Sequence, residues 1–339
     1  MRLTWESVTL RLRTTFRTAH GASETRDNVV VRLEHGGRTG LGEAAGLAYH
    51  GESPTGIQAW LEQARDLLRE PPAGPGDVAA TLERLPHGSR AARAALDMAL
   101  HDLWGQAEGQ PLWRLWGLEP SRAPLTSFTI GLDTPEAMAE RAAASEMPVL
   151  KIKVGDEDDE DRLHAVRRAA PRARLRIDAN AGWSREQAAA LLPRLADLEL
   201  ELVEQPLDPG DLEGMAALRR HGVPLFADES VRTAADVEAC AAAGAVDGVV
   251  VKLAKSGGLT GARRVIAAAR RHGLRVMVGC MIESSVGVTA AAHLAPACDL
   301  ADLDGPLLIS NDPYRGVRYA GARLLLPEDP GLGVAPRAR

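Results

Sequence analysis

The chain has 339 residues and a formal net charge of −6, from 40 lysine and arginine residues against 46 aspartate and glutamate residues. This length exceeds one average domain and fits an α/β barrel with a smaller partner domain, and the apolar content of 45% supports a large buried core. The acidic balance and the lack of a basic tract argue against nucleic acid as a partner.

The sequence also predicts where the protein works. No run of about 18 apolar residues is present, so no segment is expected to span a membrane. The first residues lack the apolar stretch of a signal peptide. The three cysteines, Cys240, Cys280 and Cys298, show no spacing typical of a disulfide framework or a zinc site, which suits a reducing compartment. We therefore expect a cytoplasmic protein that contacts no membrane.

Residues 1–120 are predicted to form an α+β domain. Apolar and polar residues alternate early in the chain as in an antiparallel meander, with strands at 29–34 and 39–44. Loops rich in small and polar residues are predicted at 17–26 and 49–54. From residue 55 the apolar spacing becomes helical, with Leu67 on the apolar face of a first helix and a second helix from Ser89 to Gly105.

After Pro124 the pattern changes to short strands that alternate with helices. Eight strands are predicted, at residues 125–131, 149–154, 175–178, 200–204, 225–227, 248–253, 275–278 and 300–303. Many of them are near-continuous apolar runs, as expected of parallel strands that helices cover. Eight such strands with helical crossovers predict a closed (β/α) barrel over residues 121–312. Residues 313–339 leave this pattern and are predicted to return to the first domain.

Five charged side chains stand at or near the predicted C-terminal ends of these strands. They are Lys153, Asp178, Glu204, Asp228 and Lys252, and successive members are 25, 26, 24 and 24 residues apart. In a (β/α) barrel the chemistry is carried at the C-terminal ends of the strands. We therefore expect these five side chains to meet in one site.

The three acids Asp178, Glu204 and Asp228 would converge there from successive strands. Three neighbouring carboxylates repel one another unless a cation lies between them. Ligation by oxygen alone favours Mg²⁺, with Mn²⁺ as the alternative. The sequence thus predicts a single-metal site, and the competing interpretation is that the acids cap helices or pair with surface arginines.

The lysines suit a proton transfer next to such a metal. Lys151 and Lys153 point to the same face of one strand, whereas Lys252 ends a strand on the far side of the barrel. With the metal holding a substrate carboxylate, one lysine would remove the neighbouring α-proton, and the other would return a proton to the opposite face of an enediolate. The alternative is that the lysines are counter-ions to the acids, above all Lys151.

Five ordered motifs carry a family resemblance: Lys151-Ile152-Lys153, Asp178-Ala179-Asn180, Val203-Glu204-Gln205-Pro206, Ala227-Asp228-Glu229-Ser230 and Lys252-Leu253-Ala254-Lys255-Ser256-Gly257-Gly258. Together they resemble the muconate lactonizing subgroup of the enolase superfamily. The resemblance implies an α/β fold, a modified TIM barrel of the (β/α)7β type with an N-terminal α+β capping domain. It also implies that the three acids are metal ligands, that Lys153 and Lys252 are the acid/base pair, and that Lys151 is a supporting residue.

Two further stretches, at residues 126–131 and 301–308, look like those of the dipeptide epimerases. In that branch the pair corresponding to Asp302 and Asp304 holds the α-ammonium group of the substrate, and we expect both to lie across the pocket from the metal. The alternative is that they cap the following turn. Four more residues are predicted to contact a dipeptide substrate: Thr129, Met281, Ile282 and His20. A homo-oligomer is also expected.

One departure and several rival interpretations stay open. Ala-Glu epimerases of this family often carry an arginine in the early loop, but here His20 and Gly21 occupy that stretch, with Arg17 and Arg26 flanking it. The side chains of the dipeptide are therefore not predicted. The rival functions are an N-acylamino acid racemase or o-succinylbenzoate synthase, which Asp302 and Asp304 would disfavour by repelling a succinyl carboxylate, and a metal-binding barrel without catalysis.

Overall fold

The computed structural model describes residues 1–46 and 51–337, so Tyr49 and His50 of the second predicted loop lie outside the described residues. The strands are β1 (Arg2–Thr18), β2 (Gly21–His35), β3 (Arg38–Ala44), β4 (Phe128–Ile130), β5 (Val149–Lys153), β6 (Arg174–Asp178), β7 (Leu202–Glu204), β8 (Leu225–Ala227), β9 (Gly248–Lys252), β10 (Arg275–Gly279), β11 (Leu300–Asp302), β12 (Tyr314–Arg315), β13 (Arg318–Ala320), β14 (Arg323–Leu325) and β15 (Ala335–Pro336). The helices are α1 (Pro54–Arg65), α2 (Pro75–Glu83), α3 (Arg90–Glu108), α4 (Leu112–Leu115), α5 (Pro135–Ala144), α6 (Asp159–Ala169), α7 (Arg185–Leu191), α8 (Leu212–Leu218), α9 (Ala234–Ala242), α10 (Leu253–Ser256), α11 (Leu259–Arg271), α12 (Ser285–Ala292) and α13 (Gly305–Leu308).

The first three strands form an antiparallel sheet in the order β1-β2-β3. The predicted loop at 17–26 is wrong, because the pairing of β1 with β2 continues to Thr18 and Gly21 and leaves a two-residue turn between them. Gly21 has a φ of 123°, a conformation that glycine adopts without the steric penalty of a Cβ. The small and polar residues of this stretch belong to an exposed hairpin and not to an irregular loop.

Helix α3 lies across this sheet and forms the core of the capping domain with it. Ser89 caps the helix by accepting a hydrogen bond from the backbone N–H of Ala92. Gly42 of β3 permits the close approach of the sheet, since a Cβ at this position would lie 1.9 Å from the carbonyl oxygen of Ala95. Leu67 is 37% exposed, because α1 ends at Arg65 and the chain then turns away, so its predicted place on the apolar face is wrong.

Strands β4 to β11 form one parallel sheet of eight strands in chain order. A parallel bridge between Thr126 and Ala301 brings the chain before β4 against β11 and nearly closes the barrel. The barrel interior is filled by one apolar cluster, Leu202, Phe226, Val250, Met277 and Leu300. Polar side chains at the C-terminal strand ends lie beyond this apolar cluster, so they face a cavity and not the core.

The chain after the barrel runs back over the capping helices. The backbone N–H of Leu332 donates to Asp102 in α3 at 2.8 Å, and its carbonyl oxygen lies 3.1 Å from Nε2 of His293 at the end of α12. Arg32 of β2 donates to the hydroxyl of Tyr314 at 2.8 Å. No helix within residues 1–46 and 51–337 is long and apolar enough to cross a bilayer.

Candidate active site

Three buried carboxylates line up along adjacent strand ends. Asp178 ends β6 and Glu204 ends β7, and their Cα atoms are direct partners in the parallel ladder. Asp228 follows the last residue of β8. All three side chains are buried. The barrel thus places the acids side by side, as the spacing predicts.

Lys151 lies within this row and acts as a counter-ion. Its Nζ is 3.0 Å from an oxygen of Asp178 and 2.8 Å from an oxygen of Glu204. It is also 2.7 Å from Oδ2 of Asp302. Burial disfavours the charged ammonium, but the surrounding carboxylates outweigh it and raise the pKa of Lys151 well above its usual value.

Lys153 and Lys252 stand at opposite ends of the row. Nζ of Lys153 donates to Oδ2 of Asp178 at 2.6 Å, and Nζ of Lys252 donates to Oδ2 of Asp228 at 2.7 Å. Glu204 lies between them, with Oε1 at 3.8 Å from Nζ of Lys252. Burial opposes the charge on Lys252, but Asp228 and the other carboxylates raise its pKa above the usual value.

The buried carboxyl groups differ in pKa, because nearby lysines offset the effect of burial to different extents. Burial is the largest influence on each of them, and it favours the protonated form. For Asp178 the lysines outweigh it, and its pKa is lowered far below the usual range. For Glu204, burial and the charge of Asp178 prevail and raise the pKa to about 8. Both carboxyl oxygens of Glu204 are buried and make no hydrogen bond among the described residues, so their ion pairs with Lys151 and Lys252 are their only charged contacts there.

These observations bear on whether the acids fit a metal. Within the part of the chain that the structure describes, no group of three His, Cys, Asp or Glu side chains is arranged to hold an ion as it stands. The lysine ammonium groups take up the oxygens of Asp178 and Asp228 instead. The donor set nevertheless fits a hard divalent cation, because it consists of carboxylate oxygens, and those of Glu204 are ion-paired but accept no hydrogen bond from residues 1–46 and 51–337.

Three polar residues hold the acids in place, and none of them was predicted from the sequence to have a role in the site. Gln205 has a φ of 35°, and its Oε1 accepts hydrogen bonds from the backbone N–H of Asp228 at 3.0 Å. Asn180 accepts from Lys153 at 2.9 Å. Nζ of Lys255 donates to the backbone and side-chain oxygens of Asp228. All three follow a strand-end residue closely in sequence, and that proximity was the available signal.

Asp302 and Asp304 have different surroundings. Asp302 accepts hydrogen bonds from Ser127 and Lys151, both at 2.7 Å, and therefore lies beside the row of acids and not across the cavity from it. Asp304 follows β11, makes no side-chain capping bond to α13, and accepts from the backbone N–H of Thr129 at 2.6 Å. Burial and the charge of Asp302 raise the pKa of Asp304 to about 7.

A cavity of about 550 Å³ covers this site. The four remaining predicted contacts all line it, namely Thr129, Met281, Ile282 and His20. Burial and the nearby Lys153 lower the pKa of His20. The cavity is thus bounded by the barrel below and by the hairpin of β1 and β2 above.

Comparison with known proteins identifies the family. A family model described as the N-terminal domain of mandelate racemase and muconate lactonizing enzyme matches residues 2–117, and one described as enolase C-terminal domain-like matches residues 134–339. The chain belongs to this family of the enolase superfamily. The predicted fold class, an enolase-like barrel with a capping domain, is thereby confirmed.

Relatives with a stated activity cover nearly the whole chain. The L-Ala-D/L-Glu epimerase of Bacteroides thetaiotaomicron is 36% identical over 338 residues, which cover 98% of this chain and 88% of that protein. The substrate-liganded L-Ala-D/L-Glu epimerase of Bacillus subtilis is 33% identical with a TM-score of 0.94 and coverage of 100% and 99%. The dipeptide epimerase of Cytophaga hutchinsonii, complexed with Mg and D-Ala-L-Val, is 30% identical with a TM-score of 0.94 and coverage of 99% and 96%.

In this member of the enolase superfamily, Glu43 of β3 joins the capping domain to the site. Its carboxylate accepts from the backbone N–H groups of Ser284 and Gly287 at 3.0 Å and from Nδ2 of Asn28 at 2.7 Å. Asn28 also donates to the carbonyl oxygen of Ile282 at 2.9 Å. Asn28 and Glu43, which are hydrogen-bonded to each other, therefore attach the segment from Ile282 to Gly287 to the capping domain, and the sequence contained no signal for this contact.

Proposed function

We propose that the chain is a metal-dependent dipeptide epimerase, similar to the L-Ala-D/L-Glu epimerases, that inverts the α-carbon next to the substrate carboxylate. The observation that carries the proposal is the placement of Lys153 and Lys252 at opposite ends of one row of buried carboxylates. Such a pair serves both faces of a carbon held between them. The relatives named as dipeptide epimerases, and their complexes with Mg and dipeptides, support this assignment.

Asp178, Glu204 and Asp228 would hold one Mg²⁺ ion, with Mn²⁺ as the alternative. When bound, the ion supplies the positive charge that stabilises an enediolate derived from the substrate carboxylate. Lys151 is a supporting residue, since its ammonium group lies within 3.0 Å of Asp178 and Glu204 and favours the charged form of both carboxyl groups.

The lysines carry out the proton transfers. On one face, the neutral amine of Lys153 accepts the α-proton, the C–H bond breaks, and its electron pair passes into the carboxylate system. On the other face, the ammonium group of Lys252 donates a proton, and a new C–H bond forms with inverted configuration. The roles are exchanged for the opposite stereoisomer.

Asp302 at the end of β11 and Asp304, two residues later, bind the free amino end of the dipeptide. Asp304 is the better placed of the two, because Asp302 is already paired with Lys151. A charge-assisted hydrogen bond of an ammonium group to a buried carboxylate contributes about 1.5–3 kcal/mol. Thr129, Met281, Ile282 and His20 line the remaining surface of the bound dipeptide.

We further propose a domain organisation, a cellular location and an oligomeric state for the chain. The chain is divided into a capping domain at 1–120, a catalytic barrel at 121–312 and a C-terminal segment at 313–339, and contacts such as that of Leu332 with Asp102 support the return of this segment to the capping domain. The protein acts in the cytoplasm, for which the free cysteines Cys240, Cys280 and Cys298 are suited. We also propose that it assembles as a homo-oligomer.

Exchange of the α-proton in D₂O tests the activity. A panel of free dipeptides is incubated with the enzyme, and deuterium uptake is followed by mass spectrometry. We expect exchange that a chelator abolishes and Mg²⁺ restores, and a Glu204→Gln variant that is folded by circular dichroism but inactive. Full exchange in excess chelator would contradict the metal-dependent mechanism.

N-acetylated dipeptides distinguish the rival racemase function. They lack the ammonium group that Asp304 and Asp302 would bind, so we expect kcat/KM to fall by about ten- to a hundredfold relative to the free dipeptides. Equal turnover of both would favour an N-acylamino acid racemase. A metal-binding barrel without catalysis would exchange neither.

A further inference from the structure

A second cavity, of about 680 Å³, lies where the capping domain meets the barrel. Its capping-domain wall comprises the end of α2 and the start of α3, and its barrel wall comprises the starts of α9 and α11 and the turn before α11. None of the residues assigned above to catalysis, metal binding or substrate binding is among its described lining residues. The cavity is therefore separate from the active site.

This second cavity is strongly positive. Its described lining contains four arginines and one acid, namely Arg90, Arg93, Arg232, Arg264 and Glu83. The whole chain, in contrast, has a net charge of −6. A cavity lined mainly by one sign of charge concentrates ions of the opposite sign. The composition of this lining is therefore suited to an anion.

Arg93 is half-buried between the two domains. Its Nη1 donates to the carbonyl oxygen of Leu82, a neutral acceptor, at 2.7 Å. Burial lowers the pKa of Arg93, the charges of Arg264 and Arg90 lower it further, and the neighbouring acids oppose this effect only in part. The arginines therefore repel one another unless an anion lies between them.

The other three arginines have a weak partner or none. Nη2 of Arg264 lies 3.4 Å from Glu83, and both side chains are largely exposed, so this ion pair contributes little. The side chains of Arg90 and Arg232 form no hydrogen bond or ion pair within residues 1–46 and 51–337. Their guanidinium N–H donors are thus available to a ligand.

The acids next to the cavity are occupied as helix caps. Asp97 accepts from the backbone N–H of Thr260 at 3.0 Å and from its hydroxyl at 2.5 Å, at the start of α11. Glu52 accepts from the backbone N–H of Arg90 at 2.7 Å, at the start of α3. These carboxylates therefore satisfy helix ends and leave the guanidinium groups of the cavity unpaired.

The start of α9 adds neutral donors to the arginines. Ala234 and Ala235 are its first two residues, and both line the cavity. The backbone N–H groups at these positions have no partner within a helix, and the helix dipole favours an anion there. Asp236 in the same turn already accepts from the backbone N–H groups of Arg232 and Thr233. An anion in this cavity would thus meet donors from both domains.

The wall of this cavity continues directly into the segment that carries a catalytic lysine. Lys252 ends β9, α10 follows it, and Ser256 and Gly257 at the end of α10 line the cavity. A Cβ at Gly257 would lie 3.3 Å from Cδ of Arg93, so the turn packs closely against this side chain. An anion that holds Arg93 would therefore stabilise the contact between the capping domain and this segment.

We propose that this second cavity binds the phosphate group of a small molecule at the boundary of the two domains. Guanidinium groups match phosphate oxygens in pairs, and helix N-termini are common partners of phosphate. The volume of about 680 Å³ is within the usual range of small-molecule sites, so it accommodates more than the phosphate group itself. The inference concerns binding and does not depend on the epimerase function.

Isothermal titration calorimetry of the Mg²⁺-loaded protein tests the inference. The probes are adenosine monophosphate, inorganic phosphate, and adenosine as the uncharged control. We expect saturable binding of at least one phosphate compound with a Kd below about 1 mM, and none of adenosine. The thermal unfolding temperature should rise with the concentration of the bound compound. An affinity for adenosine monophosphate at least about tenfold higher identifies a phosphate ester as the ligand, and an equal or lower one identifies free phosphate.

Substitutions locate the binding site. The double variant Arg90→Gln/Arg232→Gln should bind at least about tenfold more weakly, because charge-assisted hydrogen bonds are lost. The matched control is Arg84→Gln/Arg271→Gln, which removes the same charge from exposed arginines outside the described lining and should bind as the wild type does. Glu204→Gln changes the active site alone and should also keep the affinity, as should the wild type in excess chelator. Circular dichroism verifies that each variant is folded.

Three outcomes would overturn the inference. The first is that neither phosphate compound binds with a Kd below about 1 mM. The second is an equal loss of affinity in the two double variants, which would mean that the anion responds only to net charge. The third is loss of binding in Glu204→Gln or in excess chelator, which would place the anion on the metal of the active site.

Discussion

At the scale of single residues, Lys153 and Lys252 differ in the carboxylate that each one contacts. Lys153 donates to Asp178 and Lys252 to Asp228, so each lysine is anchored to a different end of the acid row. Removing one lysine leaves the anchor of the other untouched. The two proton transfers can therefore be separated experimentally.

We expect Lys153→Ala and Lys252→Ala each to lose epimerisation by at least about 10²–10⁴-fold, the usual contribution of one acid/base group. Each variant should still exchange the α-proton of one stereoisomer slowly, because the remaining lysine still reaches one face, and the two variants should prefer opposite stereoisomers. Proton exchange measured on the separate L,L and L,D dipeptides by NMR checks this. Wild-type exchange of both stereoisomers by both variants would contradict the assignment.

The positions of these residues were predictable, whereas their partners were not. Strands of a parallel barrel recur every 24 to 26 residues here, so strand-end acids and lysines are visible as a regular spacing. The link between Glu43 and Ser284 spans 241 residues and depends on how the capping domain sits on the barrel. No local sequence pattern predicts a contact between residues that are so far apart in the chain.

At the scale of secondary structure elements, the contact of β3 with α12 is the clearest coupling between the capping domain and the barrel. Glu43 lies at the N-terminus of α12, where unpaired backbone N–H groups and the helix dipole favour a negative charge. Glu283 beside it has a pKa raised to about 8, by burial and by the charge of Glu43. Burial also raises the pKa of Glu43 itself, against the hydrogen bonds from Ser284, Asn28 and Gly287 that favour its charged form.

Glu43→Ala should destabilise the protein by at least about 2 kcal/mol, because several buried donors lose their acceptor and each such loss costs about 1–3 kcal/mol. The free energy of unfolding from urea titration measures this. Glu34→Ala is the control, since Glu34 forms an exposed pair with Arg2 at 3.4 Å in the same sheet, and it should change stability by less than about 1 kcal/mol. Equal effects of both substitutions would show that the buried link is not stabilising.

At the scale of the whole molecule, the alternation of strands and helices was sufficient to predict the barrel, but the capping sheet was predicted less well. The turn end of the β1–β2 hairpin, residues 11–27, is exposed or half-buried throughout, so this part of the sequence lacks the apolar alternation that marks a half-buried strand. Its pairing depends on register with a neighbouring strand, as in Phe16 with Ser23, and single-sequence patterns do not report register.

His293 joins three parts of the molecule. It is fully buried at the end of α12, its Nδ1 accepts from the backbone N–H of Trp113 in α4 at 3.2 Å, and its Nε2 lies 3.1 Å from the carbonyl oxygen of Leu332. These partners require a neutral ring that is protonated on Nε2. Burial lowers the pKa of His293 to about 4, against the opposing effect of the Leu332 carbonyl.

The stability of the folded chain should therefore fall as the pH falls from about 6.5 towards 4. In this window the unfolded chain binds a proton at His293 that the folded chain does not, so the contribution is fully present above about pH 6.5 and is lost below it. Between pH 7 and pH 5, we expect the free energy of unfolding of the wild type to fall by about 2 kcal/mol more than that of His293→Gln. Asp102, whose pKa burial raises to about 6, changes stability in the opposite direction, but it is present in both proteins and cancels in the comparison. Urea titrations at the two pH values measure this difference in the free energy of unfolding. The substitution His35→Gln, at an exposed histidine, is the control. Equal pH dependence of the wild type and His293→Gln would show that His293 is not the group responsible.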